Sequence, residues 1–547
     1  MPDDFEALIR AHRDHVFLYL MKRTHQRETA EDLTQETLAR AHSPHQYGSL
    51  SITRGATMSS TTERFLPTHR RTLATWASIA WLSAMAIGQH ATASTINPES
   101  ERIAEIDRLL VETFQPTHPG AVVIVSRDGK PLLKKAYGLA DTEKNTALQF
   151  TDTMRIGSVT KPFTAMAILL LEEDGKLSVQ DEITRYLPDF STPGRKITIA
   201  HLLSHTSGIG VYTQSPKLRE MIRPETTTAE VVSFIKTLPA PSAPGELWDY
   251  NNSGYYLLGA IIEKVSGMRY AEFLAKRIFA PLHMTGTAVE GVPGAKPVIA
   301  SYRAQGGRFM SAPTLNPVVA WSAGSMVSTA DDMQRWVVAV ENKKLLKPAT
   351  WQCAMTTAPL LSGRATEYGY GWVLRKLRGQ PLIEHSGNVT GFQAQVMMLP
   401  EEKLSFIVMT NQQHRHNMVR HLTERIAAIA IGRPFAQHKA IELSDAALDA
   451  FAGTYEAKGT AARTVTRAGK QLRLASGSAQ ALLHAYGEDQ FFQPETSHTR
   501  YRFVRDAAGS VRQLIRIDAG DEEQVFERAA TAAIAAGAQA EKPAISK

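Results

Sequence analysis

The chain has 547 residues, with 61 Lys or Arg against 54 Asp or Glu, a formal charge of +7, and 43% hydrophobic positions. That length exceeds one ordinary core and implies two to four folded units, while the composition excludes a fibrous or wholly disordered chain. The basic excess is spread along the sequence instead of forming a stripe, which argues against a nucleic-acid surface on the main part. The single Cys353 excludes an intrachain disulfide and a cysteine-rich metal cluster.

Residues 1–57 begin with two stretches of apolar residues at helical spacing, around Phe5 to Leu20 and Ala30 to Ala41. The second, Ala30-Glu-Asp-Leu-Thr-Gln-Glu-Thr-Leu-Ala-Arg-Ala, resembles the acidic second helix of region 2 in extracytoplasmic-function sigma factors. The resemblance covers some forty residues, and neither a promoter-melting helix nor a second helix-turn-helix follows. The segment therefore reads as a fusion or a start-site artefact, with transcription initiation as the alternative function that it would imply. Next, Arg70-Arg71 precede a nearly uncharged run from Thr72 to Gly88 that closes on Ala91-Thr92-Ala93. A basic flank, a short apolar stretch and an A-x-A site are the parts of a secretory signal, and the run is shorter than the roughly 20 residues that span a bilayer. Residues 58–93 are expected to export the chain to the periplasm or medium, or to anchor it in the membrane if cleavage fails.

From 95 to 433 strand-like and helix-like segments alternate. Pro119 to Gly138 reads as two strands around an Asp128-Gly129 turn, the strongest short hairpin signal. Gln393 to Pro400 and Leu404 to Thr410 read as a second hairpin around Glu401-Glu-Lys. Between them a helix from Pro162 to Asp174 stops at Gly175. Strands at both ends with helices between predict an α+β domain whose sheet joins the N- and C-terminal strands. Residues 440–530 alternate in polarity between Gly and Asp turns and predict a small all-β module. The Ala-rich tail, 531–547, reads as loose.

The chemistry is concentrated in three places. Ile156-Gly-Ser-Val-Thr-Lys-Pro-Phe places Ser158 and Lys161 one helical turn apart at a helix start. There the Lys can stabilise the Ser alkoxide or accept its proton, and an unsatisfied backbone N–H can face the reacting carbonyl. Ser233-Phe-Ile-Lys236 repeats the spacing but lies mid-helix without a glycine approach, so it reads as helix surface. Further on, Asp249-Tyr-Asn-Asn supplies Tyr250 and Asn252 from one turn. A Tyr beside an ammonium ionises more readily than its ordinary pKa of about 10 implies and can then act as base. Asn252 offers a donor and an acceptor to bridge Lys161 and a substrate carbonyl. Third, His385-Ser-Gly-Asn precedes an apolar strand, where Gly387 permits close backbone approach and Asn388 can supply a second oxyanion N–H.

In order and spacing, Ser158-x-x-Lys161, Tyr250-x-Asn252 and His385-x-Gly387 resemble the three active-site motifs of the serine β-lactamase and penicillin-binding-protein superfamily. That superfamily holds class C β-lactamases, D-alanyl-D-alanine carboxypeptidases, D-aminopeptidases and esterases. His201-Leu-Leu-Ser-His-Thr-Ser-Gly and Ala323-Gly-Ser-Met-Val-Ser-Thr-Ala extend the likeness. The resemblance implies an antiparallel sheet flanked by helices with an all-helical part, and a serine hydrolase acting through an acyl-enzyme on ester or amide bonds. The implied site is Ser158, Lys161, Tyr250, Asn252 and His385, with Gly387 and Asn388 at the oxyanion side. The implied partner is a small-molecule or short-peptide substrate, with peripheral envelope association and without cofactor or metal. The C-terminal module resembles the lipocalin-like barrel appended to such enzymes. Where class C enzymes carry Lys at the third motif this chain has His385, a poorer fixed cation at pH 7, which favours neutral esters and amides over carboxylate-bearing β-lactams. A penicillin-recognising sensor without turnover is the non-catalytic alternative. Neither a Gly-x-Ser-x-Gly elbow nor a His-Glu-x-x-His zinc motif occurs, and His414 and His416 read as a polar loop.

Overall fold

The computed structural model describes residues 97–529, apart from 191–193, 219–221, 224, 306–307, 314–315, 414–417, 458–459, 478 and 494–497. The sigma-like segment, the export signal, the tail, and His414 and His416 lie outside the described residues.

The main module is built on a six-stranded antiparallel sheet of β1 (Ala121–Arg127), β2 (Lys130–Tyr137), β3 (Val373–Leu377), β4 (Gln380–Val389), β5 (Phe392–Leu399) and β6 (Leu404–Thr410). Their spatial order is β3-β4-β5-β6-β1-β2, so the N-terminal hairpin completes the sheet begun by the C-terminal strands. The β1–β2 turn has Asp128 at φ 49° and Gly129 at φ 71°, the two positive values that match the twist of flanking strands. In-register pairing of Ala121 with Thr410 through Arg127 with Leu404 joins β1 to β6.

Strand periodicity divides the apolar residues between two cores. Val122, Ile124, Val396, Met398, Ile407 and Met409 face one cluster, which also takes in α2 (Thr160–Glu173) and α3 (Asn252–Ser266). Val123, Val125, Met397, Leu399, Phe406 and Val408 face the other, against α1 (Pro98–Thr113) and α4 (Met418–Ala430). Every residue of β5 and β6 is buried, which explains why they read as continuous apolar runs without alternation. The central helix α3 is set by its ends: Asn251 caps it through an Oδ1 bond from Gly254 N, and Gly267 stops it in the left-handed region.

The C-terminal module is a closed barrel of eight strands within Gly453–Arg528, each antiparallel to its successor, with Tyr455 opposite Arg528 at the closure. Phe451, Tyr455, Phe491, Phe503 and Phe526 fill it. The two modules meet where the β3–β4 turn docks on the barrel: Arg378 N donates to Ala519 O at 2.9 Å, and Lys376 pairs with Glu522 at 2.9 Å. Among the described residues no helix is long and apolar enough to cross a membrane.

Candidate active site

Ser158 sits in a single tight turn, Gly157–Val159, that runs into α2. Gly157 has φ +52°, and a Cβ there would lie 2.9 Å from Asn388 N; a Cβ on Gly387 would lie 1.9 Å from Ile156 O and 3.1 Å from Ser158 N. The two glycines thus let β4 run directly along the Ser158 turn. This sets the Asn388 backbone against Gly157 and the Gly387 backbone against Ser158 N. The entry to α2 is pinned by Thr160, whose hydroxyl donates to Gly157 O at 2.7 Å and accepts from Met326 N at 3.1 Å.

Lys161 is fully buried. Its Nζ lies 3.1 Å from Ser158 Oγ, 2.8 Å from Asn252 Oδ1 and 2.8 Å from the Ala323 carbonyl. Asn252, the first residue of α3, is oriented by a 3.1 Å bond from its Nδ2 to Thr213 Oγ1. The faces of Tyr250 and Tyr255 stand 4.8 and 5.4 Å from Nζ and favour the ammonium. Burial opposes them and prevails, pushing the Lys161 ammonium well below its ordinary value.

Tyr250 hydrogen-bonds Ser158, yet burial holds its phenol above the ordinary value. The phenolate expected beside an ammonium is therefore disfavoured. The ring of His385 lies 6.3 Å from that of Tyr250. It is buried, its Nδ1–H donates to Ser386 O at 2.8 Å, and its Nε2 accepts from the Tyr368 hydroxyl at 2.9 Å. Burial, reinforced by the charge of Lys161, lowers its pKa to about 3. Held neutral, it supports the Tyr368 hydroxyl through Nε2. Ser233 is exposed on the helix Thr228–Lys236.

Two further side chains belong to this cluster. His205, buried at φ 60°, accepts the Asn251 N–H at Nδ1 over 3.0 Å, and so positions the turn that carries Tyr250 and Asn252. Its ring lies 4.4 Å from that of Tyr250 and 4.5 Å from that of Tyr368. The signal for His205 was the phrase His201-Leu-Leu-Ser-His-Thr-Ser-Gly; Tyr368 left none.

The cleft beside Ser158 has a volume of about 370 Å³, and Leu218, Ile222, Val319 and Val389 supply apolar walls. Arg155 closes both Nε and Nη2 on the Glu290 carboxylate, each at 2.7 Å. Residues 106–431 match the Beta-lactamase family. The chain belongs to that family. It is 27% identical over 442 residues to Penicillin-binding protein 4* of Bacillus subtilis (strain 168), covering 76% of this chain and 97% of that one. To Protein flp of Staphylococcus aureus (strain N315) it is 29% identical over 336 residues, 59% of this chain and 66% of that protein. The fold is also that of the octameric penicillin-binding protein homologue from Pyrococcus abyssi (TM-score 0.58, 24% identity, 78% of this chain and 100% of that one). D-amino acid amidase from Ochrobactrum anthropi SV3 shares it too (TM-score 0.52, 24% identity, 61% and 99%). In this Beta-lactamase-family domain the Ser158, Tyr250 and His385 segments come from a helix start, a turn and a strand that the fold brings to one cleft end.

Proposed function

We propose that the protein is a serine hydrolase that cleaves ester or amide bonds through an acyl-enzyme on Ser158, and that it prefers neutral acyl groups. The observation that carries this reading is the set of three partners around Lys161 Nζ. A neutral amine has two N–H, enough to donate to Asn252 Oδ1 and Ala323 O, and one lone pair that can take the proton of Ser158 Oγ, 3.1 Å away. When Oγ bonds the carbonyl carbon, its proton passes to Lys161. The oxyanion develops between the N–H groups of Ser158 and Asn388. As the scissile bond breaks, the Tyr250 phenol gives its proton to the leaving group and recovers one from Lys161. Water then attacks the ester, its proton returns through the same pair, and Ser158 leaves as the hydroxyl.

The preference for neutral substrates rests on the cleft. Among its described lining residues Arg155 is the one cation, and Glu290 already holds it. The Bacillus relative is by name a penicillin-binding protein, so a cephalosporin belongs in the substrate panel beside p-nitrophenyl esters, D-amino-acid amides and a D-Ala-D-Ala peptide. Intact-mass analysis after a fluorophosphonate is expected to show one adduct on the wild type, also on Ser233→Ala, and none on Ser158→Ala. Labelling that survives in Ser158→Ala overturns the assignment, and acyl-enzymes from the esters and amides of the panel that never turn over would mark a sensor. Residues 58–93 support export with cleavage after Ala93. N-terminal sequencing of the mature protein is expected to begin at Ser94, and a cytoplasmic protein that retains those residues would refute it.

A further inference from the structure

The contact between the two modules holds a second cluster of chemistry-bearing side chains, away from the Ser158 cleft. His421 and Glu424 occupy adjacent turns of α4, and His498 arrives from the barrel segment that precedes the strand Arg500–Arg505. One ligand atom from each lies within 4.8 Å of the others. His421 Nδ1 is 3.1 Å, and His498 Nε2 3.7 Å, from the same carboxylate oxygen, Glu424 Oε2.

The Glu424 carboxylate, itself 3% exposed, is divided between two kinds of neighbour. Oε1 accepts from Arg375 and lies 3.3 Å from Arg420 Nε, whereas Oε2 faces the two histidines among the described residues. Arg375 also holds Glu384 at 2.7 Å. Two guanidinium groups therefore balance two carboxylates and fix the orientation of Glu424, the role that outer partners play around a bound ion. His498 is held in turn by face-to-face stacking on Phe435, with ring centroids 3.8 Å apart.

We propose that His421 Nδ1, Glu424 Oε2 and His498 Nε2 bind one zinc-class divalent ion that pins the barrel to the main module. Two imidazole nitrogens and one carboxylate oxygen are a zinc donor set, and tetrahedral bonds of that metal place neighbouring ligand atoms about 3.4 Å apart. The separations of 3.1 and 3.7 Å bracket that spacing. His498 Nε2 now lies 3.0 Å from the His421 carbonyl. On binding, the single ring proton of the neutral imidazole moves from Nε2 to Nδ1, which frees the Nε2 lone pair for the ion. Cavities of about 190 and 590 Å³ flank the trio, leaving room for a water as fourth ligand and a route of entry. The inference is independent of the hydrolase reading, since none of the three residues lines the Ser158 cleft.

The test is metal content of the whole purified chain after chelator treatment, dialysis against zinc and removal of free ion. One tightly held zinc per chain is expected for the wild type, and one fewer in both His421→Gln and His498→Gln. His438→Gln and His484→Gln, which alter histidines of the larger cavity outside the trio, are expected to retain it. Cobalt loaded in place of zinc gives a second readout on the wild type alone, visible absorption bands that disappear in His498→Gln. A wild type without tightly bound zinc, zinc retained in both trio variants, or a cobalt spectrum indifferent to His498→Gln would each overturn the proposal.

Discussion

Lys161 Nζ and Asn252 Oδ1 lie 2.8 Å apart, and the amide cannot turn away because its Nδ2 is bound to Thr213 at 3.1 Å. The acceptor is uncharged. It takes an N–H from the amine without holding the ammonium form as a carboxylate would, so the effect of burial on Lys161 is left intact.

Asn252→Asp places a carboxylate at that distance and raises the Lys161 pKa. Because acylation uses the free amine, activity is lost as pH falls through that pKa, and the rising limb of kcat/KM moves to higher pH. A shift of about one to two units is expected, which lowers activity roughly 10- to 100-fold at pH values below the limb of both proteins. Lys161→Arg, permanently charged, is expected to lose about 10²- to 10⁴-fold at all pH values. An unmoved limb in Asn252→Asp would show that the amine is not the base.

Gly387→Ala tests the close approach of β4 to the nucleophile. The added methyl would fall 1.9 Å from Ile156 O, so the strand or the Ser158 turn must shift. Overpacking of this kind costs about 1–3 kcal/mol, and denaturant unfolding is expected to show it. Acylation should suffer more than stability, since the distance between the Ser158 and Asn388 N–H groups changes. Full acylation rates in Gly387→Ala would remove Asn388 from the oxyanion site.

His385 gives a stability effect whose sign is fixed. Its pKa is about 3 in the folded chain against an ordinary 6.5, so between those values the unfolded state binds the proton and the folded state does not. Stability therefore falls as pH falls from about 6.5 to 3, by about 1.4 kcal/mol per unit from this group. His385→Gln, which keeps an acceptor for Tyr368, is expected to flatten the dependence by that slope. Urea unfolding at pH 7 and pH 4.5 measures it, and equal slopes in both proteins would contradict a neutral, buried imidazole.

Glu290→Gln bears on substrate choice. It releases Arg155 from its two 2.7 Å bonds and leaves a cation on the cleft. The ratio of kcat/KM for carboxylate-bearing substrates over neutral esters is expected to rise about tenfold, and to fall back at high salt. An unchanged ratio would mean that Arg155 does not reach the substrate.

The parts legible in the sequence are those that short-range rules govern. Asp128-Gly129 announced its turn, the runs at 393–399 and 404–410 their strands, and the three-residue step from Ser158 to Lys161 a shared helix face. The protonation states were not legible. Local spacing placed Tyr250 beside a lysine and suggested a phenolate, whereas burial dominates both groups. The partner of His385 was hidden too, because nothing near it in sequence reveals Tyr368, seventeen positions away. The trio at the barrel was hidden for the same reason: His498 follows His421 by 77 residues and meets it only through the packing of two modules.

The β1–β6 pairing sets the order in which this protein can come into being. Gly120 and Thr410 are bonded across 290 positions of chain, and β1 has its full set of neighbours only after β6 exists. Such distant pairing slows folding, so a growing polypeptide leaves the ribosome with β1 half-satisfied until more than two-thirds of the sequence has been made. Truncation before Leu404 therefore removes a neighbour of β1 as well as the last strand itself.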